Sequence, residues 1–581
     1  MKCRLHRGIV GLSFSLCCAA FSLPAVAQVA QNSDAEELRR RAQQEAQERQ
    51  RQLQQPSVSL PRQRSDEDLQ SYTLAPESLC FPVQRVTLAF PEQVSEAVRR
   101  TGGFALQMDP FHFIQTYLAG YAGSCLGQRG IETILRRVTG QILERGYSTT
   151  RVGIGQQDLS TGQLSITLVP GIIHAIRFKD PAITASYRSA FPTQAGALLN
   201  LRDLEQGLEQ MKRVASQDVD MQILPTDVPG QSDVVLEVKR IKPWKLTLSL
   251  DDSGAKSTGK YQAGINLAID DLLGINDLFN AGFSSDADRM GQARGTTGNN
   301  FSYSAPAGYW TFGVSGSTSR YHQRIAGLFQ TFVSSGHSEN LEVRVQKLFQ
   351  RDAQQKNSLQ LRIGKRWSRS YIDDTEIEVQ RRNTTFAELG WMHRHYFGDV
   401  QLDATLANRW GVSWFNGAAD APDRLSDGPT YRYSMQTIDA TVVAPFKLGG
   451  QSLTYVGTLR GQHSRSRLYL TDQFAIGSRY TVRGFDGELT LASESGVFLR
   501  NDLEIALGST GAALYAGLDA GRLYGPSVAN LQGDTLAGAA IGLRGAVSGL
   551  HYELFAGWAL VRPEQFQTAM PAAGFNLIYQ F

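Results

Sequence analysis

The chain lacks long apolar runs: outside the extreme N-terminus no stretch reaches 18 residues. A protein that spans a membrane with helices is therefore excluded. It also lacks a dominant charge, because 58 Lys and Arg against 55 Asp and Glu leave a formal +3 in 581 residues. That balance excludes a nucleic-acid binder resting on bulk charge, and equally an acidic tail protein. Cysteine is scarce, with five in all. No Gly-x-Ser-x-Gly elbow, His-Glu-x-x-His or Cys-x-x-Cys occurs, so the sequence offers no convergent nucleophile or metal set. His393 and His395 flank Arg394 and would share a face of a strand, where a loop or lumen wall is the expectation rather than metal ligation. No cofactor, metal or enzymatic activity is expected. Glycine, by contrast, is abundant at 56 residues, and with Ser, Thr and aromatics it suits many short strands and turns.

The N-terminus carries Lys2, Arg4 and Arg7, an apolar stretch from Gly8 to Leu23, and an Ala-Val-Ala ending at Ala27. This pattern predicts a secretory signal peptide over residues 1–27. Cys3, Cys17 and Cys18 leave with it. Cys80 and Cys125 remain in an oxidising compartment, where a disulfide is expected and two separate buried thiols are the other arrangement.

Ser33-Asp34-Ala35-Glu36 forms a capping box that opens a Glu-, Gln- and Arg-rich run to Gln55. Glu36 with Arg40 and Glu45 with Arg49 are spaced for helical ion pairs. The expectation is a helix within 28–55, polar on every side and so suited to a wet cavity or to solvent. Residues 56–79, with three prolines, read as an extended linker. From 80 to 241 two α/β modules follow, 80–170 and 171–241, each with strands around a helix. Ile131, Ile134, Val138 and Ile142 mark one helix, and Asn200 caps another bearing Leu204, Leu208 and Met211.

From 242 to 581 the pattern is alternation. Leu246, Leu248 and Leu250 interleave with Thr247 and Ser249; Trp310, Phe312 and Val314 with Thr311 and Gly313; Leu359, Leu361 and Ile363 with Gln360 and Arg362. One apolar and one polar face, repeated between Gly-rich loops, predicts a membrane β-barrel of about 16 antiparallel strands at roughly 21 residues per strand and loop. Parity alone leaves a soluble sandwich open; the signal peptide and the aromatic C-terminus favour the barrel.

Two motifs stand out within this region. Val482-Arg483-Gly484-Phe485 falls in a long loop between strand-like segments. Gly517-Leu518-Asp519-Ala520-Gly521 falls on a strand whose apolar face is Leu514, Ala516, Leu518 and Ala520. Asp519 must then face the lumen, with Gly517 and Gly521 clearing space beside it. A lone lumen carboxylate favours an Arg partner, and Arg483 is the candidate.

In this order the features make the chain similar to the outer-membrane transporters of two-partner secretion in the Omp85 superfamily, including exporters of filamentous haemagglutinins, haemolysins and contact-dependent-inhibition proteins. The resemblance covers the polar helix, linker, two POTRA modules and barrel. Within them it takes in the Gln157-Asp158-Leu159 and Gly162-Gln163-Leu164 elements, the segment from Trp244 to Asp277, both motifs and the terminal Phe581. It implies an outer-membrane pore of a Gram-negative bacterium, with its POTRA modules in the periplasm, that moves a large β-helical exoprotein to the cell surface without ATP. It implies further that the exoprotein is recognised through its N-terminal secretion domain, that Arg483 locks on Asp519, and that the N-terminal helix plugs the resting pore. Tyr579 and Phe581 would act as the C-terminal assembly signal. The remaining implied partners are outer-membrane lipid and the barrel-assembly machinery, with no nucleic acid. Phe485 stands where some members carry Tyr. A barrel-assembly factor is the main alternative, although its known forms resemble chains with three or more POTRA modules; a passive porin or barrel enzyme is more distant.

Overall fold

The computed structural model describes residues 69–90, 110–183, 185–288, 294–326, 330–508 and 510–581. The signal peptide expected over 1–27, the polar helix expected over 28–55 and most of the linker lie outside these.

The first module pairs β1 (Phe81–Val83) with β3 (Ser124–Leu126). Its main sheet sets β2 (Arg85–Ala89) parallel to β5 (Gln163–Val169), with β4 (Arg151–Gly153) antiparallel on the other side of β5. Helices α1 (His112–Ala119) and α2 (Gln128–Glu144) cover one face. Strict alternation buries Leu164, Ile166 and Leu168 of β5 against Ile131, Ile134, Val138 and Ile142 of α2. Cys80 and Cys125 form a disulfide with Cα atoms 5.3 Å apart, closing a sequence separation of 45. A loop of that length corresponds to about 4 kcal/mol in the chain-entropy model.

Residues 69–79, the described end of the linker, are extended but docked on this module. Tyr72 packs on the rings of Tyr117 and Tyr121, and the Leu69 carbonyl accepts from Gln141 Nε2 at 2.7 Å. The Glu77 carboxylate accepts from the Arg129 and Gly130 N–H groups at the start of α2, a favourable place for a negative charge. The second module repeats the scheme, with β6 (Ile172–Phe178) parallel to β8 (Gln231–Arg240), β7 (Gln217–Pro225) antiparallel to β8, and α3 (Leu201–Lys212) above. Asn200 Oδ1 accepts from the Arg202 N–H and caps α3.

The rest is a closed barrel of sixteen long antiparallel strands. It begins with β9 (Trp244–Asp251), β10 (Gln262–Asp270), β11 (Leu278–Asp286), β12 (Arg294–Ala307), β13 (Trp310–Ala326), β14 (Thr331–Arg351) and β15 (Gln355–Ile372). The two-residue β16 (Thr375–Glu376) pairs antiparallel with the end of β15, and β17 (Arg382–Phe397), β18 (Val400–Val412), β19 (Ser434–Leu448) and β20 (Gln451–Ser464) follow. Short β21 (Phe474–Ile476) and β22 (Leu491–Ser493) pair with each other and are not strands of the wall. The wall resumes with β23 (Ser495–Ala506), β24 (Ala512–Tyr524), β25 (Thr535–Val547), β26 (Leu550–Val561) and β27 (Ala572–Gln580). β27 closes on β9 over Thr247–Asp251 alone.

The alternation read from the sequence sorts the wall. Leu248, Leu250, Phe312, Leu359, Leu361 and Leu389 are exposed on the outside, where a bilayer covers them. Inside, Arg344, Glu342, Arg362, Glu388 and Arg409 form a cross-strand chain of ion pairs. His393 and His395 share a face, but it is the outer one: with Trp391 and Phe397 they form an aromatic column at the periplasmic end of β17. The lumen-wall placement expected for them is corrected, because their parity is that of the exposed Leu389 and not of the inward Glu388.

Candidate functional site

The residues between β20 and β23 fold back into the barrel. Val482 and Phe485 are fully or nearly buried in an apolar cluster with Ile476, Leu491, Phe498, Leu523, Leu536 and Phe566. This dry patch inside an otherwise polar lumen was not legible from alternation. Phe485 meets Phe566 edge-on at 5.5 Å, an apolar contact that uses no hydroxyl.

Between these two anchors Arg483 points at the wall. Its Nε and Nη2 donate to the two oxygens of Asp519 at 2.7 Å each, and its backbone N–H donates to Asp519 Oδ2 at 2.9 Å. Nη1 stands 2.6 Å from Asp502 Oδ1 on the neighbouring strand β23. Arg483 and Asp519 are each only 4% exposed, so a bidentate, charge-assisted pair is held away from water. The glycines make room for it. A side chain at Gly517 would collide with Arg483 Nη2 and Asp502, and one at Gly521 would press on Val482. Gly484 has φ +97° and lies so close to the Trp558 carbonyl that no other residue fits.

A second pair ties the same loop to the closing seam. Arg479 Nη2 contacts Asp252 Oδ1 at 2.5 Å, and that oxygen also accepts from the Phe575 N–H of β27 at 2.9 Å. Asp486 accepts from the Ala569 N–H beyond the seam and stands 3.8 Å from Lys256 Nζ before it. The loop is thus fastened to the β23–β24 wall, to the first hairpin and to the last loop. Asp502 could have been found from β23, where Leu499, Leu503 and Ile505 alternate with Arg500, Asp502 and Glu504. Arg479 and Asp252 lie 227 residues apart and no local pattern links them.

At the periplasmic end, α3 buries a polar face against the barrel turns. Arg351 bridges Glu205 at 3.2 Å and Glu209 at 2.6 Å, and Lys356 reaches Glu209 at 2.5 Å. Tyr309 donates to Asp203, and Asn276 Nδ2 donates to the Ser186 carbonyl at 2.6 Å. At the C-terminus Tyr579 and Phe581 are exposed, pack edge-on at 4.7 Å, and the Phe581 N–H donates to the Leu246 carbonyl. Among the described residues no group of three or more His, Cys, Asp or Glu side chains is arranged to hold a metal ion.

Comparison with known proteins agrees with this architecture. The family model for the haemolysin secretion/activation protein ShlB/FhaC/HecB matches residues 230–545. POTRA models match 106–171, in its ShlB-type form, and 172–225. The outer membrane transporter CdiB-2 of Burkholderia pseudomallei is 44% identical over 574 residues, covering 97% of this chain and 98% of its own. The hemolysin transporter protein ShlB of Serratia marcescens is 28% identical over 410 residues, 70% of this chain and 72% of its own. The solved structure of CdiB from Acinetobacter baumannii superposes with a TM-score of 0.82 at 26% identity, covering 95% of this chain and 99% of that one. The chain belongs to the ShlB/FhaC/HecB family of two-partner secretion transporters, outer-membrane proteins of the Omp85 superfamily with POTRA modules in the periplasm.

Proposed function

We propose that the barrel carries a large, mostly β-helical exoprotein from periplasm to surface, and that the loop bearing Arg483 is the latch across its path. The observation that carries this reading is the buried Arg483 held by Asp519 and Asp502 inside a closed barrel. A folded-back loop secured by a desolvated cluster, with the Arg479–Asp252 pair and Asp486 as further fastenings, is a two-state element: in place it fills the lumen, and released it leaves a polar channel. No nucleotide site is needed, since folding of the exoprotein outside the cell draws the chain across.

Capture belongs to the periplasmic modules. The edge strands β2 and β4 of the first sheet, and β7 and the part of β6 beyond Ile173 in the second, offer backbone N–H and C=O groups to an extended segment of the exoprotein's N-terminal secretion domain. The polar helix within 28–55 plugs the resting pore, Tyr579 and Phe581 serve as the signal read by the barrel-assembly machinery, and no step is enzymatic. The test is Arg483→Ala in cells producing the exoprotein. Surface exoprotein should fall sharply while the barrel still inserts and stays heat-modifiable; normal export would reject the latch.

A further inference from the structure

We propose that the loop between β18 and β19 anchors the transporter in the outer leaflet, inserting Trp414 and Phe415 at the boundary between lipid headgroups and acyl chains. This rests on the outer-membrane reading of the barrel and adds a lipid contact made by a loop rather than a strand.

The loop turns outward over the rim. The Trp414 carbonyl accepts from Thr385 Oγ1 at 2.8 Å, the Phe415 carbonyl from Lys365 Nζ at 2.9 Å, and the Asn416 carbonyl from Asn383 Nδ2 at 2.9 Å. These three donors lie on the outer wall. Lys365 has the parity of the exposed Leu359 and Leu361, and Thr385 and Asn383 that of Leu389 and Trp391. Lys365 and Thr385 are only 8% and 4% exposed, because the loop lies over them. Residues 414–416 therefore have their carbonyls satisfied, as backbone entering a bilayer edge requires.

The rings are left bare. Trp414 is 50% and Phe415 70% exposed. Phe415 and Asn416 hold φ at +54° and +58°, a conformation that costs a bulky aromatic residue energy and points to a use for the ring's position. The height is right as well. Lys365 and Thr385 face each other across β15 and β17 at the top of the apolar belt, one outward position below Trp367 and Asn383, which also face each other. Trp367 and Trp410 are exposed on that outer face beside them. Trp414 and Phe415 thus continue an aromatic girdle of the kind that sits at a membrane interface, and Lys365 lies near Trp367 with its ammonium 5.6 Å from the ring.

The test is a fluorescent label of the bimane type on Phe415→Cys in the mature protein, whose Cys80 and Cys125 are joined in a disulfide, reconstituted in phosphatidylcholine vesicles. Leu425→Cys, another exposed position of the same loop, serves as the aqueous reference. At 415 the emission should be blue-shifted relative to 425, quenched by lipid nitroxides near the headgroup, and protected from iodide. Adding Lys365→Ala should release the loop and shift the emission to the red, with barrel insertion unchanged. Iodide access at 415 equal to that at 425, or no quenching by lipid nitroxide, would overturn the proposal and leave the rings to a protein partner.

Discussion

At the scale of residues, Arg483 is the group on which most of the lumen geometry converges. Asp519 is almost fully buried while the Asp502 side chain keeps 13% of its surface exposed, so removing Arg483 or Asp519 strands a charge in a dry site, commonly at about 3–5 kcal/mol. Asp519→Arg combined with Arg483→Asp keeps the pairing but reverses it, and Asp502 then faces an aspartate at 483. The swap is expected to restore only part of the secretion lost in each single mutant, measured as surface exoprotein; full restoration would mean that Asp502 contributes nothing. The Asp519 orientation was legible from parity, because Leu514, Ala516 and Leu518 leave 519 on the other face. The Arg479–Asp252 pair was not, since its members stand 227 residues apart in the chain. Nor was the apolar patch around Phe485, because an alternation rule assigns inward positions to water and does not anticipate a loop that returns to cover them.

At the scale of elements, α3 shows where a sequence pattern misleads. Its Leu204, Leu208 and Met211 face the module core, as their spacing predicts. Glu205, Gln206, Glu209 and Gln210 lie off that apolar stripe, yet barrel turns from distant sequence cover them. Burial alone would raise the Glu209 pKa, but Lys356 and Arg351 outweigh it and hold the carboxyl below its ordinary range. Its contribution to docking is therefore full above the unfolded carboxylate pKa and lost as pH falls through the lowered folded value. Glu209→Gln should loosen the module by about 2–3 kcal/mol, less than a fully buried pair because a quarter of the Glu209 side chain stays exposed. Spin labels at Val228 and Asp399 should report a broader distance distribution in the variant at neutral pH. That difference should shrink on acidification below pH ~4; a variant indistinguishable from wild type at neutral pH would reject the role of the network.

At the scale of the whole molecule, sixteen strands, two modules and the fixed order of motifs were readable because period-two alternation survives loops of any length. How the parts lock together was not, because those contacts are made by ion pairs between remote segments. The segment proposed as the plug is tested at this scale. Deleting residues 34–55 removes a segment with no apolar stripe, so the barrel should assemble normally while single-channel conductance in planar bilayers rises. Unchanged conductance would place the segment outside the lumen.

The central claim is that the exoprotein passes through the lumen, and parity on a single strand tests it most directly. Ser315 faces inward on β13 and Phe312 faces the bilayer. A photo-crosslinking residue at 315 should give adducts with an exoprotein stalled in transit, and the same residue at 312 should give none. Adducts at 312 with none at 315 would contradict the account.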